Sequence, residues 1–270
     1  MILAHRAALN GVQLDEIDER INIKGIEEGA GKETTGTVSA AGGAGQRVTN
    51  RHRDTLDITV KFSMTTENAD QAEELTDRSE LLEKINTWAA GGGWLTINYK
   101  PNRRLYVECV QAPGAGDIYE WTSVYTITLR AYALPYWEED TPVSGTSGTA
   151  GSGSVSLNVN GSEETDADIT IRNMSGMTIN NVTVNAAGKR MDFTSLGLGG
   201  NERLVITHQI YGTQRLVRIY ITNGSSTRSA MARRTSGSAN NTNVKPGERT
   251  FSFAADRACQ MEVSVRGRFV

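Results

Sequence analysis

The residues with the widest chemical repertoire are few and scattered. His5, His52 and His208 lie in three separate segments, and none has Cys, His or carboxylate neighbours at metal-ligand spacing. His52-Arg53-Asp54 matches a kinase catalytic-loop tripeptide, but the downstream Asn and the Asp-Phe-Gly that bind metal are missing. Gly29-Ala30-Gly31-Lys32 has the end of a phosphate-binding loop without its beginning. Ile26 stands where the first Gly belongs, and Glu33 where Ser or Thr should follow the Lys. Glu163-Glu164 and the pair Asp166 and Asp168 read as solvated charges in a turn between strands, with weak Ca²⁺ coordination or a glycosidase pair as alternatives. Trp88 and Trp121 fit core faces and Trp94 opens a strand, whereas Trp137, beside Tyr136, is free to be exposed and to stack on a sugar ring. The expectation is of no catalytic residue, no cofactor and no metal.

The elements that would position these groups are mostly strands. Leu56, Ile58, Val60, Phe62 and Met64 alternate with polar residues, the period of a half-buried strand. Trp94 to Lys100 and Arg104 to Gln111 flank Pro101-Asn102-Arg103 and predict a hairpin. Trp121 to Ala131 alternates over a long strand rich in β-branched and aromatic residues. One helix interrupts them. Asn68 can cap it with Gln71 as its capping-box partner, Ala72, Leu75, Leu82, Ile85 and Ala89 recur at helical spacing, and Gly91-Gly92-Gly93 ends it.

Two stretches have almost no large apolar residues. Residues 25–50 are rich in Gly, Ala and Thr and read as a long loop, a candidate arm followed by Arg51, His52 and Arg53. Residues 141–154 (TPVSGTSGTAGSGS) have the composition of a flexible linker. Beyond it come only short β signals, such as Val155, Leu157 and Val159 or Leu216 to Ile221, punctuated by Asn-Gly and Pro-Gly turns. This pattern predicts a β-sandwich.

Composition narrows the functional classes. The chain has 270 residues, 28 Lys and Arg against 31 Asp and Glu, and a net charge of −3. That balance disfavours a general nucleic-acid binder, which needs a basic footprint. Residues 1–140 carry 14 bases against 22 acids and residues 141–270 carry 14 against 9, a sign split that supports two modules. The two cysteines, Cys109 and Cys259, fall one in each half and exclude a small-domain disulfide framework. The first residues do not read as a signal peptide, and no apolar run approaches the ~20 residues of a membrane helix, so membrane insertion is not expected.

The order of these segments carries a resemblance. An N-terminal "LNGVQLDE" strand pair, the Gly-rich segment, the strand "RDTLDITVKFSM", one helix, the hairpin "LTINYKPNRRLYVECV" and the strand "YEWTSVYTITLRAYALPYWEE" come first. A Gly/Ser linker and an all-β module ending "VKPGERTFSFAADRACQMEVSVRGRFV" follow. The chain resembles the distal tail proteins of long-tailed, non-contractile bacteriophages over nearly its whole length.

That resemblance implies a mainly β fold of two sandwich-type domains. Residues 1–140 would be a ring-forming belt domain with one helix and an arm at about 25–50, and residues 155–270 a galectin-like sandwich. It implies a structural hub, a hexameric ring between tail tube protein and tail-tip or tail-associated protein, located in the virion and assembled in the bacterial host cytoplasm. A receptor-binding protein or a host glycan is a further partner. Candidate ring and partner contacts are Lys32, Gly42, Gly43, Arg47, Arg51 and Trp137. The alternatives are a carbohydrate-binding adhesin, for which Tyr211 or Trp137 would stack on sugar, and a hydrolase whose carboxylates are brought together by folding.

Overall fold

The computed structural model describes residues 5–39, 46–65, 71–114, 124–211 and 214–270. The chain is mainly β and divides into two units, Met1–Trp137 and Glu138–Val270. The first unit contains β1 (Ala7–Leu9), β2 (Val12–Gln13), β3 (Ile21–Glu28), β4 (Lys32–Ser39) and β5 (Gln46–Met64). The helix α1 (Gln71–Ala90) follows, then β6 (Gly93–Ile97), β7 (Arg103–Gln111) and β8 (Tyr125–Ala131). A short strand β9 (Trp137–Glu139) spans the division.

Strands of the first unit pair antiparallel in the order β2-β1-β6-β7-β8-β5-β3, with β4 added to β5. The register sets apolar against apolar: Leu9 opposite Leu95, Leu95 opposite Leu105, Ile127 opposite Val60 and Val60 opposite Ile26. Period-2 alternation therefore puts one whole face into the core, and Ile58, Val60, Phe62, Leu95, Leu105, Ile127 and Leu129 are all buried. The hairpin predicted around Pro101-Asn102 is present, with Asn102 at φ 61° in its turn. Leu81, Leu82, Ile85 and Ala89 form the buried stripe of α1. Leu75, expected on that stripe, is 36% exposed, and Leu81 takes its share of the core instead. The proposed cap Asn68 and the strand residue Trp121 lie outside the described residues.

The stretch expected as a loop at 25–50 is largely strand. β4 pairs with the first half of β5 from Lys32 opposite Thr55 to Ser39 opposite Gln46. Thr34, Thr35, Thr37, Val38, Val48 and Thr49 are β-branched and favour extended backbone. A ladder needs only backbone donors and acceptors, so the lack of an apolar face did not prevent pairing.

The second unit contains β10 (Val143–Thr146), β11 (Ala150–Val159), β12 (Thr165–Asn173), β13 (Val182–Ala186), β14 (Lys189–Phe193) and β15 (Arg203–Tyr211). β16 (Gln214–Thr222), β17 (Thr227–Ser229), β18 (Asn243–Val244), β19 (Gly247–Val265) and β20 (Arg268–Phe269) complete it. The order is β14-β13-β19-β12-β15-β16-β17, with β10 and β11 on β19 and β18 on β12. The first half of β19 lies between β11 and β13, and its second half between β10 and β12. Phe193, Phe251 and Phe253 share one apolar core with Ile169, Ile171, Met261 and Val263.

The linker expected at 141–154 is likewise ordered. Val143–Thr146 and Ala150–Val159 pair along β19. Their glycines serve close packing here: a Cβ on Gly145 would lie 2.6 Å from Val155 Cγ1, and one on Gly153 2.9 Å from Phe253 Cε1. Small residues that suggest flexibility in composition are what lets these strands approach large neighbours.

The turn between β1 and β2 pins the edge of the first unit. Asn10 and Gly11 have φ of 52° and 85°, as a two-residue hairpin with both central residues left-handed requires. Asn10 Nδ2 donates to Gly92 O at 2.9 Å, and Trp94 N donates to Asn10 Oδ1 at 3.0 Å. Asn10→Ala forfeits both bonds and places a Cβ residue unsuited to this backbone, so we predict a loss of about 2–4 kcal/mol in urea unfolding. Asn10→Gly keeps the backbone preference and should lose about half as much. Equal losses would show that the turn conformation is not what Asn10 secures.

Candidate functional site

Three features stand out: the β4–β5 ribbon, a groove beside α1, and a buried ion network in the second unit. The residues expected to make partner contacts divide between ribbon and core. Lys32 opens β4, and Arg47 and Arg51 lie on β5. Gly42 and Gly43 lie outside the described residues. Trp137, expected to be free for exposure, has 0% of its surface accessible. Its Nε1 donates to Glu28 Oε1 at 2.9 Å, and Lys100 Nζ sits 4.8 Å above the ring while pairing with Glu28 Oε2 at 2.5 Å. A buried indole seeks a partner for its N–H, and the Glu28–Lys100 pair supplies it. Trp137 is therefore not available to stack on a sugar.

The groove lies between α1 and the β1–β2 hairpin with the turn after it. It has a volume of about 900 Å³ and is lined by Leu9, Val12, Ile17 and Trp88 together with the charged Glu80, Glu83 and Lys84. Trp88 Nε1 donates to Val12 O at 2.9 Å and ties the hairpin to the helix. Asp18 ties it a second time. It takes two side-chain hydrogen bonds from Arg20, both at 2.9 Å, one from Arg20 N at 3.2 Å and one from Lys84 Nζ at 2.9 Å. The Arg20 bonds first, then Lys84, hold the Asp18 carboxyl well below the usual carboxylate range. Arg20 also reaches Asp77 on the helix at 3.5 Å.

In the second unit, carboxylates and bases from distant segments meet in the interior. Arg215 Nη1 donates to Glu138 Oε1 at 2.9 Å, and Arg268 Nε reaches the same oxygen at 3.3 Å. Asp166 Oδ2 pairs with Arg268 Nη2 and lies 2.8 Å from Arg215 Nε, the latter an ion contact out of line for a hydrogen bond. His208 Nε2 stands 3.7 Å from Asp166 Oδ1, and its Nδ1 3.3 Å from Asp168 Oδ1. Burial raises the cost of charging Asp166, but the attraction of Arg268, His208 and Arg215 and the Arg268 hydrogen bond outweigh it, and its carboxyl is held below the usual range.

This corrects one expectation. Asp166 is a buried strand residue and not a solvated turn charge, and folding gives His208 two carboxylates that its sequence neighbourhood does not supply. The antiparallel pairing of β12 with β15 brings them together across forty residues, a distance at which sequence spacing carries no signal. A carboxylate enclosed by two arginines and held ionised is an electrostatic anchor; as a glycosidase acid it would need a raised pKa and access to substrate. Among the described residues, no group of three or more His, Cys, Asp or Glu is arranged to hold a metal ion. Among them also, no helix is long and apolar enough to cross a membrane. Cys109 and Cys259 are free thiols, and burial pushes Cys259 up to about 11.

The sequence matches no family model and no curated protein. Among solved structures the chain is similar in fold to phage proteins. The SPP1 Dit (gp 19.1) protein, described as a paradigm of the hub adsorption apparatus in phages infecting Gram-positive hosts, aligns with a TM-score of 0.66 at 15% identity. The alignment covers 98% of this chain and 99% of that one. Chains of the phage P2 baseplate in its activated conformation align over 100% of both chains (Ca form, TM-score 0.49, 9% identity) and over 97% of both (Sr form, 0.48, 8%).

The network makes a measurable claim. Arg268→Met leaves the buried Asp166 and Glu138 to share Arg215, so we predict a loss at or somewhat below the roughly 3–5 kcal/mol of a fully uncompensated buried charge at pH 7. Asp166 has a folded pKa below its unfolded value of about 3.9. Its contribution is therefore complete above that pH and is lost as pH falls through the folded value. The stability difference between wild type and Asp166→Asn should be present above about pH 4 and shrink on acidification below it. A difference that persists unchanged at low pH would refute the assignment of Asp166 as an ionised anchor.

Proposed function

We propose that this chain is a structural hub subunit of a phage tail tip. Six copies form a ring that joins the tail tube to the host-adhesion apparatus, in the virion, after assembly in the host cytoplasm. The first unit acts as the belt that closes the ring, and the second as a galectin-like module at its periphery. Its partners are its own copies, the tail tube protein and a tail-tip protein. The observation that carries this reading is the end-to-end likeness to the SPP1 Dit fold, which embraces both units and leaves almost no part of either chain unmatched. The ribbon lends further support, because a subunit in a closed ring needs two different surfaces that meet head-to-tail. Lys32, Arg47 and Arg51 are the contact residues we assign to it.

The purified chain should run as an assembly of about 176 kDa, six times 29.3 kDa, and show a ring with a central hole in negative stain. A monomer at high concentration that also fails to join a tail tube or tail-tip partner would remove the reading.

A second reading, glycan binding, is favoured by one residue. Tyr211 at the end of β15 is 53% exposed, and its hydroxyl donates to Gln209 Oε1 at 2.7 Å, an oxygen that also accepts from Arg218 Nη1 at 3.1 Å. If this reading is correct, host cell-wall glycans bind the full chain and Tyr211→Ala abolishes binding. Absence of binding across a glycan array counts against it.

A further inference from the structure

We infer that the loops at the Asn173 end of β12 form a docking surface for an acidic peptide segment of another protein, one that mixes carboxylates with apolar side chains. The inference concerns the second unit alone and holds whether or not the chain forms a ring.

The surface is built on Asn173, the buried last residue of β12. Its Nδ2 donates to Met177 O at 2.7 Å, Leu198 O at 2.9 Å and Gly199 O at 3.0 Å. Its Oδ1 accepts from Ser175 N at 2.9 Å and from Ser175 Oγ at 2.8 Å. Asn173 N donates to Glu202 O, and Met174 N to Ala258 O. One side chain thus staples the loop after β12 to the loop before β15, and the backbone ties the first of these to β19. The two loops also touch: a Cβ on Gly200 would lie 3.0 Å from Gly176 O. A surface fixed in this way loses little freedom when a partner binds.

Two methionines stand on this base, Met174 at 43% and Met177 at 57% exposure. A thioether chain held at the surface buries little in the free protein, and its soft, adaptable shape suits a partner's apolar groups. Exposed arginines flank the pair. Arg172 stands directly opposite Arg203 in the β12–β15 ladder. Arg257 precedes Ala258, and its Nη1 reaches the carbonyl of Asp256 at 3.3 Å.

The carboxylates nearby serve other groups. Both oxygens of Glu202 take hydrogen bonds from Arg228, and Asp256 Oδ2 accepts from Asn180 N and Asn181 N. On β19 the residue opposite Arg172 is Gln260, while Glu262 stands opposite Thr170. Like charges set directly across an antiparallel pair destabilise it. An acidic partner turns that cost into attraction. The arginines therefore select acids and the methionines select apolar side chains, a combination that a purely anionic polymer does not supply.

Fluorescence anisotropy on the full chain tests this with a short labelled peptide in which Asp and Leu alternate. Polyglutamate serves as the acid without apolar groups. The peptide should bind about tenfold or more tighter than polyglutamate. Arg172→Glu with Arg203→Glu, and separately Met174→Ser with Met177→Ser, should each weaken it about tenfold or more. Lys245→Glu changes an exposed charge beside the opposite end of β12 and should leave binding unchanged. A second measurement separates a partner surface from a support of the fold. Arg203→Thr removes the repulsion, so it should melt about 1–3 °C above wild type at low salt while binding the peptide more weakly. Wild type that does not bind the peptide overturns the proposal. So does polyglutamate binding as tightly, either variant pair binding like wild type, Lys245→Glu weakening as much as the arginine pair, or Arg203→Thr melting no higher than wild type.

Discussion

Everything in the first unit follows from one long strand whose backbone must be paired along its whole length. β5 runs nineteen residues, and only its second half carries an apolar face. From Leu56 to Met64 it lies between β8 and β3 with alternate side chains in the core. From Gln46 to Thr55 the apolar alternation is gone, yet the ladder continues with β4. Register shifts fall at Lys32/Glu33, where the ribbon leaves the sheet, and at Gly36/Thr37 farther out. Bulges of this kind add twist and re-aim a strand. The strand therefore extends the sheet beyond the core: its packed half continues into a half paired with β4. A two-stranded ribbon with no apolar face is marginal alone, which makes such a ribbon a natural surface for intermolecular contact.

The second unit uses the same device for a different end. β19 is also nineteen residues long, but it exchanges neighbours along its length and so belongs to two halves of one core. The start and end of this unit are then bonded to each other. Asn160 Nδ2 and Gly267 N donate to Glu139, at 2.8 and 3.0 Å, and Arg266 Nη1 donates to Glu139 O at 2.9 Å. Beneath them, Glu138 and Asp166 share Arg215 and Arg268. Burying four charges is costly, and hydrophobic replacements of equal volume could give equal stability. What an ion network adds is directionality: it accepts one arrangement of the 138–140 segment and resists others.

Regular period-2 segments were legible in the sequence because one face is buried and alternation has no other cause. The strand at Leu56–Met64 and the hairpin around Asn102 are of this kind. The ribbon and the strands at 143–159 were not, since their order comes from backbone pairing and from Gly145 and Gly153 fitting against Val155 and Phe253. Composition records only the glycines. Trp137 was misplaced for a related reason: its partners Glu28 and Lys100 lie far away in the chain, and an aromatic beside acidic residues looks exposed until the fold supplies a cover. The network around Asp166 joins residues 138, 166, 208, 215 and 268, which no local spacing could have grouped.

The charge split between halves, −8 against +5, falls close to the division between the two units at Trp137 and Glu138. Within the first unit alone, the sequence of the outer ribbon is basic and that of the helix acidic. Screening limits each charge to a reach of about 8 Å at physiological salt, so net charge over a whole half says little about contact.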